Sequence, residues 1–344
     1  MMQNSILMFK KQLSTISQHN ECFSLLPTIL KSVKETNINA DKIIDKWTNE
    51  RIFNYRSNII SLYGCFEQFI ESSVKEYVNE LLKVCSNFMD LDNSIKNEYI
   101  EKWKALHGKL HYNKFQEITP IYMIESLYRS MIENKNEVIA ECFLQNGGNY
   151  KHEEIMKVFS NLGFHDIRSC LKHYEPLASF FSKNGFDNYA TIDELVERRN
   201  EIAHGVNSNN LVSESIVLDY IGYIEKYALS ITEYLKDQIF NHLWRKRKAY
   251  AVYKPSNYYA KPSIVEFSER DVILIEGMDF LVKRTDGFYP RYLYGKLPIF
   301  RVKDMNVPNT SIQENKELYG DGNWMFSFHV HNKMTKQFRF AFYL

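Results

Sequence analysis

One long stretch decides the fold of the first part of the chain; it reads "RIFNYRSNIISLYGCFEQFIESSVKEYVNELLKV", from Arg51 to Val84. Its apolar residues recur at every third or fourth position, which is the spacing of one face of an α-helix. The residues on this face are Ile59, Leu62, Tyr63, Phe66, Phe69, Ile70, Val74, Tyr77 and Leu81. The opposite face is polar. The pattern therefore predicts a long amphipathic helix that buries one broad apolar stripe.

The same spacing extends on both sides of this stretch. It continues over residues 41–244 with few prolines, which predicts an all-helical domain, preceded by a helical extension over residues 1–40. A second long helix is predicted from Ser213 to Trp244. Gly163 and Gly205 each follow a helical pattern, where a glycine commonly ends a helix.

The pattern changes after Trp244. Short runs with alternating apolar residues, such as "NWMFSFHV" from Asn323 to Val330, lie between turns rich in Gly, Pro and Asn. Such runs are typical of strands and hairpins. Residues 245–344 are thus predicted to form a basic, aromatic-rich β domain. The predicted fold class is α+β multidomain, with an all-α bundle followed by a small β-rich C-terminal domain.

Charge and aromatic residues are unevenly distributed. Residues 241–344 hold 17 Lys+Arg and 10 Asp+Glu, a net charge of +7, and 20 aromatic residues. Residues 1–240 hold 26 Lys+Arg and 32 Asp+Glu, a net charge of −6, and 30 aromatic residues. A basic and aromatic segment suits nucleic acid. The segment after Trp244 begins with four basic residues, Arg245, Lys246, Arg247 and Lys248. They are expected to bind phosphate, and the alternative is that they form a solvated helix end.

Several classes of protein are excluded by what the chain lacks. It has no run of eighteen apolar residues and no secretory cleavage pattern at its start, so we expect a cytoplasmic protein with no membrane partner. Its five cysteines form no CxxC pair, so no disulfide framework or zinc ribbon is expected. Dinucleotide, NTPase, zincin and serine-hydrolase motifs are missing.

Two histidine pairs have the spacing of metal ligands but lack a third ligand. They are His107 with His111, and His329 with His331. We therefore expect no metal and no cofactor.

A second stretch carries candidate chemistry; it reads "LVERRNEIAHG", from Leu195 to Gly205. Thr191 and Glu194 have the spacing of a capping box and predict a helix that starts at Ile192. At 100° per residue, Arg199 lies at the centre of the apolar arc, whereas His204 lies about 140° away. Asn200 lies one turn before His204 on the same strip.

An arginine within an apolar stripe is costly unless acceptors meet it. Glu67 and Arg56 fall inside the apolar arc of the first long helix, and Glu67 is the candidate partner of Arg199. Two interpretations remain open: a buried structural Arg–Glu pair, or a cleft in which Arg199 binds an anion. His204 alone would more often be a capping or surface histidine at a helix C-terminus.

The residues "RNEIAH", Arg199 to His204, resemble the R-x4-H signature of the HEPN superfamily, in which a polar residue such as Asn commonly follows the Arg. The long first helix and the later stretch "NGGNYKHEEIMKVFSNLGF" make residues 40–240 similar to the RiboL-PSP-type branch. The resemblance does not cover the predicted β domain.

This resemblance implies a metal-independent endoribonuclease that cleaves RNA through attack of a 2′-hydroxyl and acts as a homodimer. By the resemblance, Arg199 would bind phosphate, His204 would act as acid or base, and Asn200 would orient His204 or the substrate. Arg198 is the alternative arginine, and Glu67 resembles the acidic residue often found on the first helix. Val206 stands where one toxin group has a modified tyrosine, so that form of control is not expected.

Two functions are therefore carried forward. The first is a ribonuclease effector of a toxin or antiphage system, with RNA, tRNA among the candidates, as substrate and with an antitoxin or trigger protein as partner. The alternative is a non-catalytic HEPN scaffold that binds RNA or a partner.

Overall fold

The computed structural model describes residues 2–33, 38–85, 87–145, 149–184, 189–205 and 214–246, followed by short strands between residues 251 and 343. The chain divides into two compact units, Met1–Lys236 and Asp237–Leu344. The described helices are α1 (Asn4–Val33), α2 (Ile38–Val84), α3 (Asn93–His107), α4 (Pro120–Met131), α5 (His152–Ser160), α6 (Ile167–Cys170), α7 (Leu177–Asn184), α8 (Ala190–Ala203) and α9 (Glu214–Lys246). Single 3₁₀ turns occur at Phe88–Asp90, Asn113–Phe115, Ala140–Phe143 and Leu171–His173.

Helix α2 is the centre of the first unit. All nine residues of the predicted stripe are at most 2% exposed. The helix ends at Val84, as predicted, but begins at Ile38, well before Arg51. In α9 the predicted stripe is likewise buried from Val217 to Leu235. Removal of these apolar side chains from water is the main stabilising contribution to the helical unit.

Helix α1 is fixed to α2 at its first turn. The backbone N–H groups of Gln3, Asn4 and Ser5 donate to the carboxylate of Glu76 at 2.7, 3.0 and 2.9 Å. The first N–H groups of a helix have no partner within the helix, so a carboxylate from α2 satisfies them. Burial opposes the charge of Glu76, but these hydrogen bonds lower its pKa overall. The helix predicted within residues 1–40 is therefore joined to the core.

Two glycines end helical segments, as the sequence predicted. Gly163 has φ +84° and its N–H donates to the Ser160 carbonyl; Gly205 has φ +68° and its N–H donates to the Ile202 carbonyl. These left-handed conformations are costly for residues with a Cβ atom. At Gly163 a Cβ atom would also lie 2.9 Å from the Ser94 Oγ.

After Lys246 the structure describes short antiparallel strands. They are β1 (Ala251–Tyr253), β2 (Asn257–Tyr259), β3 (Ile264–Phe267), β4 (Leu274–Ile275), β5 (Asp279–Arg284), β6 (Arg291–Lys296), β7 (Glu317–Leu318), β8 (Trp324–Ser327) and β9 (Arg339–Tyr343). They pair in the orders β1-β9-β5-β6, β2-β3-β8 and β4-β7. The longest pairing joins β5 to β6, where Asp279 pairs with Lys296 at one end and Arg284 pairs with Arg291 at the other.

The predicted α+β fold class with a β-rich C-terminal domain is wrong. Wherever the structure describes side chains and their packing, between residues 2 and 245, the chain is all-helical and contains no strand or sheet. For the chain after Lys246 only short paired strands are described, and a β-rich domain is not shown. Alternating apolar residues can indicate a strand, but a domain also needs two packed layers around a core.

Near the start of α5, a buried histidine is held in its neutral form. The His152 ring stacks on the Tyr189 ring at 3.9 Å, and its Nδ1 lies 2.9 Å from the Tyr227 hydroxyl. Burial lowers the pKa of His152 to about 4, although Glu153 and Asp193 oppose the shift. Between the ordinary histidine pKa of 6.5 and the folded value of about 4, the unfolded chain therefore binds a proton at His152 that the folded chain does not bind.

Replacement of Gly163 by Ala should destabilise the helical unit by about 1–3 kcal/mol, because it adds a Cβ atom to a left-handed residue beside Ser94. Gly64→Ala is the matched control: Gly64 is exposed within α2 and a Cβ atom there meets nothing within 4 Å. That variant should gain about 0.5–1 kcal/mol from helix propensity. Urea denaturation followed by helical circular dichroism measures both. Equal stability of the two variants would contradict the cap geometry.

The free energy of unfolding should depend on pH through His152. Because its folded pKa is about 4 and its ordinary value is 6.5, its stabilising contribution is complete above pH 6.5 and is lost as pH falls toward 4. Between pH 7 and pH 5 the loss should be about 2 kcal/mol. His152→Gln should remove that part of the pH dependence, measured by urea denaturation at both pH values. An unchanged dependence in the variant would show that His152 titrates normally.

Candidate functional site

Helix α8 presents the second stretch with its apolar side inward. Ile192, Leu195 and Val196 are fully buried. The helix ends at Ala203, and the N–H of His204 donates to the Asn200 carbonyl at 2.9 Å. The predicted capping box is wrong: α8 begins at Ala190, its N-terminal cap is Tyr189, and no cap side chain bonds to the first turn.

Arg199 is half-buried and lies against an aromatic ring. Its guanidinium carbon is 4.8 Å from the centre of the Tyr63 ring on α2. Its Nη1 donates to the Asn200 Oδ1 at 2.9 Å. A guanidinium over a ring face is attracted by the negative charge of the π system. The inward-facing arginine is therefore met by a ring and an amide oxygen. Helical spacing predicts Tyr63 as part of the apolar stripe and gives no sign of this second contact.

The Tyr63 ring is itself held in place. Its hydroxyl accepts the backbone N–H of Tyr150 at 3.1 Å, and the Tyr150 hydroxyl donates to the Glu71 carboxylate at 2.9 Å. Glu71 also forms an ion pair with Lys114. Burial raises the pKa of both tyrosines, so both hydroxyls stay protonated. The ring under Arg199 is thus anchored at its far end.

Glu67 lies near Arg199 but does not pair with it. Burial and the neighbouring Glu71 raise the pKa of Glu67, while the charges of Arg199 and Lys114 act in the opposite direction. Among the described side chains, neither a hydrogen bond nor an ion pair joins Glu67 to Arg199. The Arg–Glu pair is therefore not formed, and the described contacts of Arg199 are the Tyr63 ring and the Asn200 amide oxygen.

Arg198, the neighbouring arginine, makes hydrogen bonds to three side chains of the same chain. Its Nε and Nη2 donate to the Glu194 carboxylate at 3.0 and 2.6 Å, and its Nε also donates to the Tyr220 hydroxyl at 2.7 Å. Its Nη1 lies 3.4 Å from the Tyr55 hydroxyl. Burial alone would lower the pKa of Arg198, but its hydrogen bond to Glu194 contributes to a net rise. Arg198 therefore joins α8 to α2 and α9.

His204 is exposed at the end of α8. Asn200 connects it to Arg199 indirectly, since the Asn200 side chain accepts from Arg199 and its carbonyl accepts the His204 N–H. Within the described chain, no hydrogen bond joins the His204 ring to Arg199 or Asn200. The structure thus brings Arg199 and Asn200 together and leaves the imidazole facing solvent.

The other predicted site residues lie elsewhere. Arg245 is exposed near the end of α9, and Lys246 is the last residue of that helix. Arg247, Lys248, His329 and His331 lie outside the described residues. His107 and His111 are exposed. In the described part of the chain, no three His, Cys, Asp or Glu side chains are grouped to hold a metal ion.

All five cysteines are thiols; Cys85, Cys142 and Cys170 are buried, whereas Cys65 is half-buried and Cys22 is exposed. In the described residues, no helix combines the length and the apolarity needed to cross a bilayer.

The contacts of the two arginines predict losses of stability of different size. Arg198→Ala should cost about 1–2 kcal/mol, because it leaves Glu194 and Tyr220 without a charged donor. Arg199→Ala should cost no more than about 1 kcal/mol, since it removes one hydrogen bond and a ring contact. Urea denaturation of the two variants gives the comparison. A larger loss for Arg199→Ala would restore the interpretation of Arg199 as a structural residue.

The helical part of the chain matches a known family. The RiboL-PSP-HEPN family matches residues 20–237, a range that holds α2 to α8 and most of α9. No curated protein and no solved structure matches the chain. Membership of a HEPN family indicates a nuclease or another RNA-related function. Since the match spans more than half of the sequence, the chain belongs to the RiboL-PSP-HEPN family.

Proposed function

We propose that this protein is a metal-independent endoribonuclease in which Arg199 binds the scissile phosphate and His204 transfers protons. Family membership supports an RNA-related function, and the residues Arg199, Asn200 and His204 carry the family's R-x4-H signature. We assign it to the toxin or antiphage defence effectors, with an antitoxin or a trigger protein as partner.

The contrast between two adjacent arginines carries the proposal. All described contacts of Arg198 are made within the chain, to a carboxylate and two tyrosine hydroxyls. Arg199 has five N–H donors, and its described contacts use only one of them. An arginine that is held in place but keeps most of its donors can form paired hydrogen bonds to phosphate oxygens. This favours Arg199 over Arg198 as the phosphate ligand.

Arginine and histidine can together carry out RNA cleavage by the 2′-hydroxyl without a metal ion. A base removes the proton of the 2′-hydroxyl, and the oxygen attacks phosphorus to form the P–O2′ bond. Arg199 stabilises the charge on the phosphorane oxygens. The P–O5′ bond then breaks as an acid protonates the departing 5′-oxygen. The products are a 2′,3′-cyclic phosphate and a 5′-hydroxyl, and histidine is suited to either proton transfer near neutral pH.

One His204 per chain supplies only one of these two proton transfers, so we propose a homodimer. His204 is exposed at the end of α8, where a second copy can approach it. In such a dimer, one His204 is the base and the His204 of the other copy is the acid. Asn200 orients Arg199, which it already contacts. Glu67 is proposed to adjust the charge around the bound phosphate.

The basic segment after the helical unit is proposed to bind the rest of the RNA. Arg245 is exposed, and it begins the run of four charges that ends at Lys248. Contacts of this kind neutralise phosphates without reading the sequence.

The decisive experiment incubates the purified protein with total RNA or tRNA in EDTA. Arg199→Ala and His204→Ala should each lower the cleavage rate by about 100-fold or more and abolish growth arrest on expression. His107→Ala is the matched control for the histidine, because His107 is also exposed at a helix C-terminus. It should cleave like the wild type.

Three outcomes would count against the nuclease. They are cleavage that persists in both variants, cleavage that requires added metal, and RNA that is bound but remains intact after long incubation. The last result favours the alternative, a HEPN scaffold that binds RNA or a partner without cutting. One observation favours this alternative: His204 is exposed, and within the described chain its ring makes no hydrogen bond to Arg199.

A further inference from the structure

We propose that Tyr63 is a positioning residue for Arg199: its ring holds the guanidinium where the unused N–H donors meet an RNA phosphate. This rests on the proposed function and adds a residue to the same site. The Tyr63 side chain is 1% exposed, whereas Arg199 is half-buried. The ring therefore forms an inner wall, and the guanidinium lies between that wall and the outside.

A ring face suits this task better than a carboxylate. A carboxylate takes up N–H donors and cancels the positive charge, as Glu194 does for Arg198. A ring attracts the cation through its π face and takes no donor along the edge of the guanidinium. Arg199 thus keeps both its orientation and its capacity to bind an anion. The lack of a direct Glu67–Arg199 pair among the described side chains is consistent with this arrangement.

The ring can act as a fixed wall because it is anchored. The Tyr150 N–H donates to the Tyr63 hydroxyl at 3.1 Å, and Tyr150 is itself 1% exposed and bonded to Glu71. Lys114 pairs with Glu71 from the 3₁₀ turn Asn113–Phe115. The Tyr63 hydroxyl is thus linked through Tyr150 and Glu71 to Lys114, so two segments outside α2 support the ring. A shift of about 1 Å in a substrate ligand can cost about 100-fold in rate.

The test compares two substitutions of the same side chain. Tyr63→Phe loses only the hydrogen bond to Tyr150 and keeps the ring packed within the buried stripe of α2, so it should retain kcat/KM within about threefold. Tyr63→Leu removes the ring and should lower kcat/KM by about tenfold or more. Added to Arg199→Ala, the Leu substitution should cause no further loss, because the residue that it positions is already gone.

Tyr77→Leu is the matched control, because Tyr77 lies in the same helix stripe, is 2% exposed and packs against Phe164. Assays run well below the melting temperature of each variant, so a folded Tyr77→Leu should cleave like the wild type. If Tyr63→Leu does not fold, Tyr63→Met replaces it, since methionine fills irregular space but has no ring. The inference is overturned if the variant without a ring cleaves like the wild type, or if Tyr63→Phe is equally impaired.

A binding measurement separates this inference from the proposed function. A labelled RNA oligonucleotide is titrated with each variant and followed by fluorescence anisotropy. If the wild type binds RNA but never cleaves it, the nuclease proposal fails. The inference about Tyr63 still holds in that case if Tyr63→Leu weakens RNA binding when Arg199 is present but not in the Arg199→Ala background. Equal and additive weakening in both backgrounds contradicts it. If the wild type cleaves RNA and Tyr63→Leu cleaves it equally well, the nuclease proposal stands and the positioning role of Tyr63 is contradicted.

Discussion

The apolar stripe of α2 is the constraint on which the helical unit depends. Its nine buried side chains form the central core, and one of them, Tyr63, also forms the wall beneath Arg199. Core packing and site geometry thus share a residue. Because side chains in cores are close-packed, the position of the ring is set by the whole stripe as well as by its own hydrogen bond to Tyr150. A change far along α2 can therefore reach the site by moving that ring.

The two adjacent arginines of α8 show how one turn of helix can hold a structural and a functional candidate side by side. Arg198 turns toward Tyr55, Tyr220 and Glu194 and joins helices. Arg199 turns toward Tyr63 and keeps most of its donors. The difference follows from the 100° step between neighbouring residues, which directs each guanidinium to a different set of partners. Phosphate binding by the second arginine is compatible with stability provided by the first.

Sequence reasoning predicted the parts of the fold that depend on periodicity. The stripe of α2, the inward position of Arg199 and the helix end at Gly205 follow from spacing and from the special backbone of glycine. It failed where a side chain had competing partners. Glu194 had the spacing of a capping box, but the charged donor of Arg198 offered it a stronger hydrogen bond. The partner of Arg199 was missed because a helical wheel shows which way a residue points, not which atom meets it. The α+β class failed because short alternating runs indicate strands without showing that they share a core.

The central claim is that Arg199 and His204 cleave RNA by attack of its own 2′-hydroxyl. The chemical nature of the cut ends tests it most directly. RNA incubated with the protein in EDTA should yield fragments with a 2′,3′-cyclic phosphate and a 5′-hydroxyl, identified by mass spectrometry, and none in the Arg199→Ala or His204→Ala samples. Ends with a 3′-hydroxyl and a 5′-phosphate, or cut RNA only after a divalent metal is added, would contradict the account.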